Sequence, residues 1–465
     1  MEEQLPLFSK LAKHLKAQPD AQRITDPETI KKEYKYWRKR IMISSFIGYV
    51  VFYFCRKNLS AATPAMITDL QITKTQIGTI WSVLYLSYGV SKLVSGLIGD
   101  RSNPRYFMAI GLFLSAVFNL AFGFSTSIVT LAIFWGLNGW VQGMGWPASV
   151  RLLTQWNSRS ERGFTWGLWN TSHQVGAGAI LIVGGFLSQY YGWRSSFFLP
   201  AAIAILCSFY LVNRLRDTPE SLGLPSVEEF KNDRPDQQEA KPGSIREILF
   251  EHVLNNPKIW LLSIGNFFVY IVRYGALDWA PTFLVEVKHS SISNASFKTA
   301  FLELVGIGGA IAAGWISDKY FKGKRGPVNF LYMALLGFAV LEFWIIPEGH
   351  PVLDACALGA VGFLVYGPQM LVGVATADAT SKHAAASATG FMGLFGYIGS
   401  IASGIGTGYI VDHYGWNGGF VFFISATILG SLCFIGTWIL DYQKKLTNKT
   451  FTQPRHIAPA ASSDL

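Results

Sequence analysis

Charge is what this chain has least of. Only 15% of its 465 residues are Asp, Glu, Lys or Arg, against roughly 25% in a soluble globular protein. That is too few to coat a water-exposed surface. Cysteine is scarce as well. Cys55, Cys207, Cys356 and Cys433 stand at unrelated spacings inside apolar runs, so they read as buried small side chains rather than a disulfide framework or a metal site. There is no nucleophile elbow, no metal-ligand cluster and no phosphate-cradling glycine loop, which argues against an enzyme and gives no reason to expect a cofactor or a metal. A cleavable signal peptide is not expected either, because the first forty residues are polar and the first apolar run is too long.

Apolar length is what the chain does have. Half of its residues are hydrophobic and the mean hydropathy is +0.29. Twelve apolar stretches of about twenty residues, the length that crosses ~30 Å of hydrocarbon, lie near 41–63, 76–99, 106–126, 128–150, 164–188, 195–213, 259–284, 296–317, 328–346, 353–376, 384–410 and 417–440. None alternates with the two-residue period of a barrel strand, so each is expected to be a helix. The fold class is an all-α membrane protein.

The net charge of +10 does not point to nucleic acid. Lys and Arg crowd residues 1–40 and every second loop, with Arg101, Arg105, Arg151, Arg159, Arg162, Arg214 and Arg216, then Lys319, Lys322, Lys324 and Arg325, then Lys444, Lys445 and Lys449. The alternate loops hold little beyond Lys74, Arg194 and Lys288. This asymmetry orients membrane proteins with their basic loops inside, and predicts both termini in the cytoplasm.

The chain divides at a polar, proline-bearing stretch, 214–258, read as a cytoplasmic linker. The expected units are a basic N-terminal segment 1–40, a six-helix bundle 41–213, the linker, a second six-helix bundle 259–440 and a tail 441–465. Landmarks repeat between the bundles. Tyr53-x-x-Arg56 matches Tyr270-x-x-Arg273, Gly96-x-x-x-Asp100-Arg101 matches Gly314-x-x-x-Asp318-Lys319, and Tyr191-Gly192-Trp193 matches Tyr414-Gly415-Trp416. Two parallel six-helix repeats make the major facilitator architecture, which holds its site near the bilayer midplane between the halves. Gln142-Gly143-Met144-Gly145-Trp146-Pro147 permits close packing and a kink at Pro147.

Chemistry must come from polar groups on inward faces. An arginine at mid-membrane costs at least ~2.5–3.5 kcal/mol and is a functional candidate by default. Arg56 and Arg273 occupy matching places in the two halves, which suggests one anionic ligand between them. Tyr49, Tyr53 and Arg56 share a helical face, as do Asn266, Tyr270 and Arg273, Tyr88 and Lys92, and Trp169, Asn170 and His173. Guanidinium forks match phosphate oxygens and lysine adds a point charge. Each residue also has a plainer reading: Lys92 snorkelling to the interface, His173 as a structural hydrogen-bonding group, the tyrosines as packing aromatics. Lys57 points elsewhere on its helix. Asp278 and Glu303 are its possible partners, with Asp278 preferred as a structural or gating pair.

Taken together, Tyr49-x-x-x-Tyr53-x-x-Arg56-Lys57-Asn58, Tyr88-Gly89-x-Ser91-Lys92, Gly99-Asp100-Arg101-Ser102-Asn103-Pro104-Arg105, Trp169-Asn170-x-x-His173 and Tyr270-x-x-Arg273-Tyr274-x-x-x-Asp278-Trp279 resemble the organophosphate:phosphate antiporter family. The likeness runs from about residue 30 to 440. It implies exchange of inorganic phosphate for an external phosphorylated metabolite, with Arg56 and Arg273 on the phosphoryl group and Lys92, His173, Tyr49, Tyr53, Tyr88 and Tyr270 around them. Asp100, Arg101 and Arg105 resemble the family's loop motif between the second and third spans. There, as with Asp318 and Lys319 in the other half, acid–base ties between helix ends are a plausible gate. Gly48 to Phe54, Gly367 to Leu371 and Ala388 to Phe395 look most like the hexose-phosphate branch, which holds both transporters and membrane sensors. The glycerol-3-phosphate branch stays open. The expected partners are a phosphorylated sugar, inorganic phosphate and the lipid bilayer of a bacterial inner membrane. The protein is expected to be a monomer, with a protein partner only if it is a sensor.

Overall fold

In a computed structural model of the chain, residues 15–99, 101–233, 248–381 and 384–452 are described, with the side chains of 159, 248, 249 and 444–452 excepted. Twelve helical spans stand among these residues. They are α1 (Pro27–Leu70), α2 (Lys74–Gly99), α3 (Pro104–Phe124), α4 in two pieces (Ile128–Gln142 and Gly145–Trp156), α5 in two pieces (Arg159–Asn170 and Ser172–Tyr191) and α6 (Ser195–Arg214). After the linker come α7 (Pro257–Glu286), α8 (Ile292–Lys319), α9 (Arg325–Ile345) and α10 (Pro351–Asp378). The last two, α11 (385–414) and α12 (416–452), form one run broken at Gly415.

Local chemistry sets these boundaries. Asp26, Asn103 and Asn256 each accept a backbone N–H of the helix they precede, and each is followed by proline. This is the preferred helix start, since proline's missing N–H lies where no intrahelical bond is made. Gly192 and Gly415 end the fifth and eleventh spans at φ of 80° and 66°, a region open to glycine at little cost. The repeated Tyr-Gly-Trp is therefore a repeated turn. By length and composition eight stretches can cross a bilayer, the last of them, Ala385–Gln443, spanning both α11 and α12. The other three crossings fall short of that measure for visible reasons: α1 carries Arg56, Lys57 and a polar first third, while α4 and α5 are interrupted.

The interruption of α4 differs from the expected kink at Pro147. The helix breaks earlier, at Gly143–Met144, and Pro147 sits in the first turn of the second piece, where it is harmless. Gly143 lies against α2: a Cβ there would fall 2.4 Å from Ser91 Oγ.

Each half packs its own six helices, and the halves meet along three seams: α1 with α7, α2 with α11, and α5 with α8. The last two are related by the internal repeat. Asp412 of α11 accepts the N–H groups of Lys74 and Thr75 at the start of α2, at 3.1 and 2.7 Å, and Thr75 Oγ1 at 2.6 Å. Gln189 of α5 accepts the N–H of Ser293 at the start of α8, at 2.9 Å. Asp412 and Gln189 stand 223 residues apart, as Tyr191 and Tyr414 do; Thr75 and Ser293 stand 218 apart, as Asp100 and Asp318 do. Thus each half caps a helix of the other. Lys74 Nζ adds an ion pair to Glu286 of α7 at 3.1 Å. These contacts close the face away from the basic loops. Toward the basic face, Gly163 and Gly167 of α5 and Gly390 and Gly393 of α11 have open space where a Cβ would point.

The linker is less free than its composition suggests. Residues 215–233 dock on the first half, where Tyr34 stacks on Phe230 at 4.0 Å and Arg151 pairs with Asp217 at 3.0 Å. Arg162 pairs with Glu228 at 3.2 Å, and Glu161 takes both Arg38 (2.5 Å) and Lys231 (2.7 Å). A turn at Ile248–Leu254 packs instead against α11, in the second half.

Candidate functional site

Arg56 on α1 and Arg273 on α7 face each other's half at mid-helix, each only 3% exposed. Among the described residues, neither guanidinium forms an ion pair. Arg56 donates through Nε and Nη2 to the neutral Oε1 of Gln142, at 3.2 and 3.1 Å, and through Nη1 to Tyr53 OH at 3.5 Å. Gln142 is oriented by donating its own amide to Phe52 O and Ser115 Oγ. The guanidinium is also sandwiched by the Tyr53 and Tyr88 rings, 4.7 and 4.2 Å from its carbon. Arg273 donates to Tyr274 OH (3.3 Å) and Tyr366 OH (3.1 Å), leaving Nε buried without a partner. Aromatic faces and neutral oxygens lower the cost of burying the cations without cancelling their charge.

His173 stands between the two. Its ring lies 5.7 Å from that of Tyr53 and 6.0 Å from that of Tyr366, so an unbroken line runs Arg56, Tyr53, His173, Tyr366, Arg273 across the seam. Nδ1 bonds the main-chain oxygen of Asn170, while Nε2 is buried and unpartnered. Lys92 completes the positive lining. Half-buried on α2, it reaches Tyr397 OH of α11 at 3.3 Å and lies over Trp146 at 5.1 Å. It reaches the other half rather than the membrane surface.

Tyr49 packs on Trp169 at 4.7 Å, beside Tyr53 and Trp146, and the Trp169 indole N–H is unpartnered. Tyr88 meets Tyr397 at 5.4 Å, and Tyr270 lies beneath Arg273 at 5.9 Å. The two asparagines of the expected cavity lining each also take part in a bond to a main-chain oxygen. The Asn266 amide is spent on Met392 O at 3.1 Å, tying α7 to α11 within one half, and Asn170 contributes its main-chain oxygen to His173.

The buried acids divide their duties. Asp278 takes Lys57 Nζ at 2.6 Å and Ser60 Oγ at 3.0 Å on Oδ1, and Tyr85 OH on Oδ2. It joins α1, α2 and α7 across the midline. Glu303 does not bond Lys57; it accepts Tyr366 OH at 2.5 Å, the same hydroxyl that Arg273 reaches at 3.1 Å. At the basic face Asp318 pairs with Arg325 at 2.6 Å, and Arg325 also approaches Asp378 at 3.9 Å. Lys319 instead lies over Trp315 at 4.5 Å, because it projects from the helix side carrying that indole. Arg105 donates to Val212 O and fastens α3 to α6. Arg101 is exposed, and Asp100 lies outside the described residues.

Gln142, Tyr85, Tyr274, Tyr366 and Tyr397 were not singled out by the sequence as site residues. Gln142 and Tyr274 stand inside quoted motifs, and Tyr366 directly precedes Gly367-Pro368, which is the only signal that marked it.

Two charged half-sites on mirrored helices, enclosed within twelve spans, define a membrane transporter. Residues 45–404 match the Major Facilitator Superfamily. A probable hexose phosphate transport protein of Chlamydia pneumoniae is 45% identical over 93% of this chain and 96% of its own. The glycerol-3-phosphate transporter of Bacillus subtilis is 42% identical over 91% and 97%, and the membrane sensor protein UhpC of Escherichia coli 43% over 88% and 93%. The chain belongs to the major facilitator superfamily, in its organophosphate:phosphate antiporter branch. It is a multi-pass membrane protein of a transporter family, not an enzyme.

Proposed function

We propose that the protein exchanges an external hexose phosphate, glucose 6-phosphate foremost, for internal inorganic phosphate by alternating access. The observation that carries this is the pair of buried, carboxylate-free guanidiniums, one from each half, joined through Tyr53, His173 and Tyr366. Two buried forks, one from each half, suit a tetrahedral dianion, which bidentate arginine recognises best. The relative from Chlamydia, named for hexose phosphate transport, supports the choice of substrate. In this reading the basic face and both termini lie in the cytoplasm of a bacterial cell, at its inner membrane.

Charge supplies the coupling. With the site empty, Arg56, Arg273 and Lys92 repel one another and resist closure. A bound phosphoryl group neutralises them and draws the halves 41–213 and 259–440 together, so each passage needs a phosphate. In this reading the face closed by the helix caps is the outer one, which suits a state that receives internal phosphate. Proteoliposomes loaded with phosphate should take up labelled glucose 6-phosphate, and empty ones should not. Arg56→Lys and Arg273→Lys should each cut that exchange at least ~100-fold at normal insertion, because a point charge cannot replace the fork. Unchanged exchange in either would sink the assignment. A second reading, a membrane sensor of external hexose phosphate, is favoured by the 43% identity to a sensor protein. Tight binding without uptake would select it. Exchange of glycerol 3-phosphate alone would move only the substrate.

A further inference from the structure

Glu303 holds one carboxylate oxygen that no described residue uses. Arg273 Nη2 donates to Tyr366 OH at 3.1 Å, and Tyr366 OH donates to Glu303 Oε2 at 2.5 Å. A guanidinium can only donate, so the single hydroxyl hydrogen passes to the carboxylate, and Glu303 is an acceptor. Its second oxygen, Oε1, is buried with no partner among the described residues, and the residue is 0% exposed. Asp278, the other acid of the site, has no such spare capacity: both its oxygens are bonded. An unmet buried acceptor is costly and calls for a donor.

A fully ionised phosphoryl or sulfuryl group has only acceptor oxygens. It satisfies Arg56 and Arg273 but would present negative charge to Glu303. Hydrogenphosphate differs in carrying one O–H. A sugar phosphate differs in carrying carbon hydroxyls a few bonds from phosphorus. We propose that Glu303 Oε1 accepts an O–H of the ligand, the P–OH of inorganic phosphate on one passage and a sugar hydroxyl on the other. The site thereby selects phosphate and its hydroxylated esters against sulfate, an anion of equal charge and similar shape without a proton to give. This rests on the phosphate-exchange reading and names what enforces it. A site built to hydrogen-bond a ligand hydroxyl rejects analogues lacking it far more strongly than an apolar pocket rejects a missing methylene.

The test is binding to the purified full-length protein near pH 8, where methyl phosphate is a dianion without O–H. Inorganic phosphate, sulfate and methyl phosphate are the probes. Wild-type protein should bind phosphate about 100-fold more tightly than either of the others. In Glu303→Gln the amide can donate as well as accept, so the gap to sulfate should shrink to less than about 10-fold, chiefly through gained sulfate affinity. Equal wild-type affinity for all three anions would overturn the proposal, as would a wild-type ratio retained in the variant. Should Glu303→Gln fail to fold, the three-anion comparison on wild type decides alone. Wild-type protein that binds none of the anions overturns the exchange reading as well, whereas phosphate and sulfate bound alike overturns only this one.

Discussion

Lys57 and Arg56 are neighbours in sequence with opposite fates. Arg56 meets only neutral oxygens and aromatic rings among the described residues, while Lys57 spends its charge on Asp278 at 2.6 Å, both members of that pair nearly fully buried. Removing one member of such a pair strands the other in a medium that cannot solvate it, at a cost of about 3–5 kcal/mol. Asp278→Asn should therefore destabilise the protein by that order in detergent thermal unfolding. Adding Lys57→Met should recover much of the loss; a double variant no more stable than Asp278→Asn would show that the pair is not the unit. The two arginines were legible in the sequence because mirrored spacing is unlikely to arise twice by chance in apolar helices. Other hydroxyls of the site were not, since Tyr85, Tyr366 and Tyr397 join it only through contacts between helices far apart in the chain, and aromatic residues are common in any such span.

Helices are the scale at which the repeat has its mechanical meaning. Period and length in the sequence placed all twelve spans, but not the breaks in α4 and α5, because close packing on Ser91 at Gly143, rather than proline, sets the first of them. Nor was the crossed capping visible, since it depends on register between halves. A Cβ on Gly408 of α11 would fall 2.2 Å from Lys74 O, and one on Gly185 of α5 would fall 2.4 Å from Ser296 Cβ; these glycines let the helices approach closely enough to cap. Losing a side-chain cap costs ~1 kcal/mol, and Asp412, with three bonds and a full charge against a helix N-terminus, should exceed the single neutral bond of Gln189. Spin labels at Thr73 and His289, on the outer ends of opposite halves, should shift toward longer separations in Asp412→Ala and less so in Gln189→Ala. Distance distributions identical to wild type in both would remove the caps from the gate.

The whole molecule is two bundles joined by a chain whose described parts each pack on one bundle. Its first part, 215–233, lies on the first half with the N-terminal stretch of α1, fastened by the apolar Leu224, Val227 and Phe230 and by ion pairing. Glu161, before the apolar run of α5, illustrates it. Burial pushes its carboxyl up, but the Lys231 bond and the Arg38 charge outweigh this and hold it below its ordinary value of 4.5. A depressed carboxyl contributes stability that is present above the ordinary value and lost as pH falls through the lower, folded one. Since Glu161 is a third exposed, the contribution is small. Limited proteolysis of 215–233 should accelerate below about pH 4.5, and Glu161→Gln should show part of that sensitivity at neutral pH. Equal cleavage rates across the range would exclude the acid from the fastening.

That one-sided docking has a further consequence. Because 215–233 rests on the first bundle and Ile248–Leu254 on the second, each bundle carries its own end of the connection. Each bundle can turn with its own end attached. An ion or protein that gripped the platform formed by α1 and 215–233 would load the first bundle alone. It could slow the rocking by adding drag to one partner without ever touching the seam.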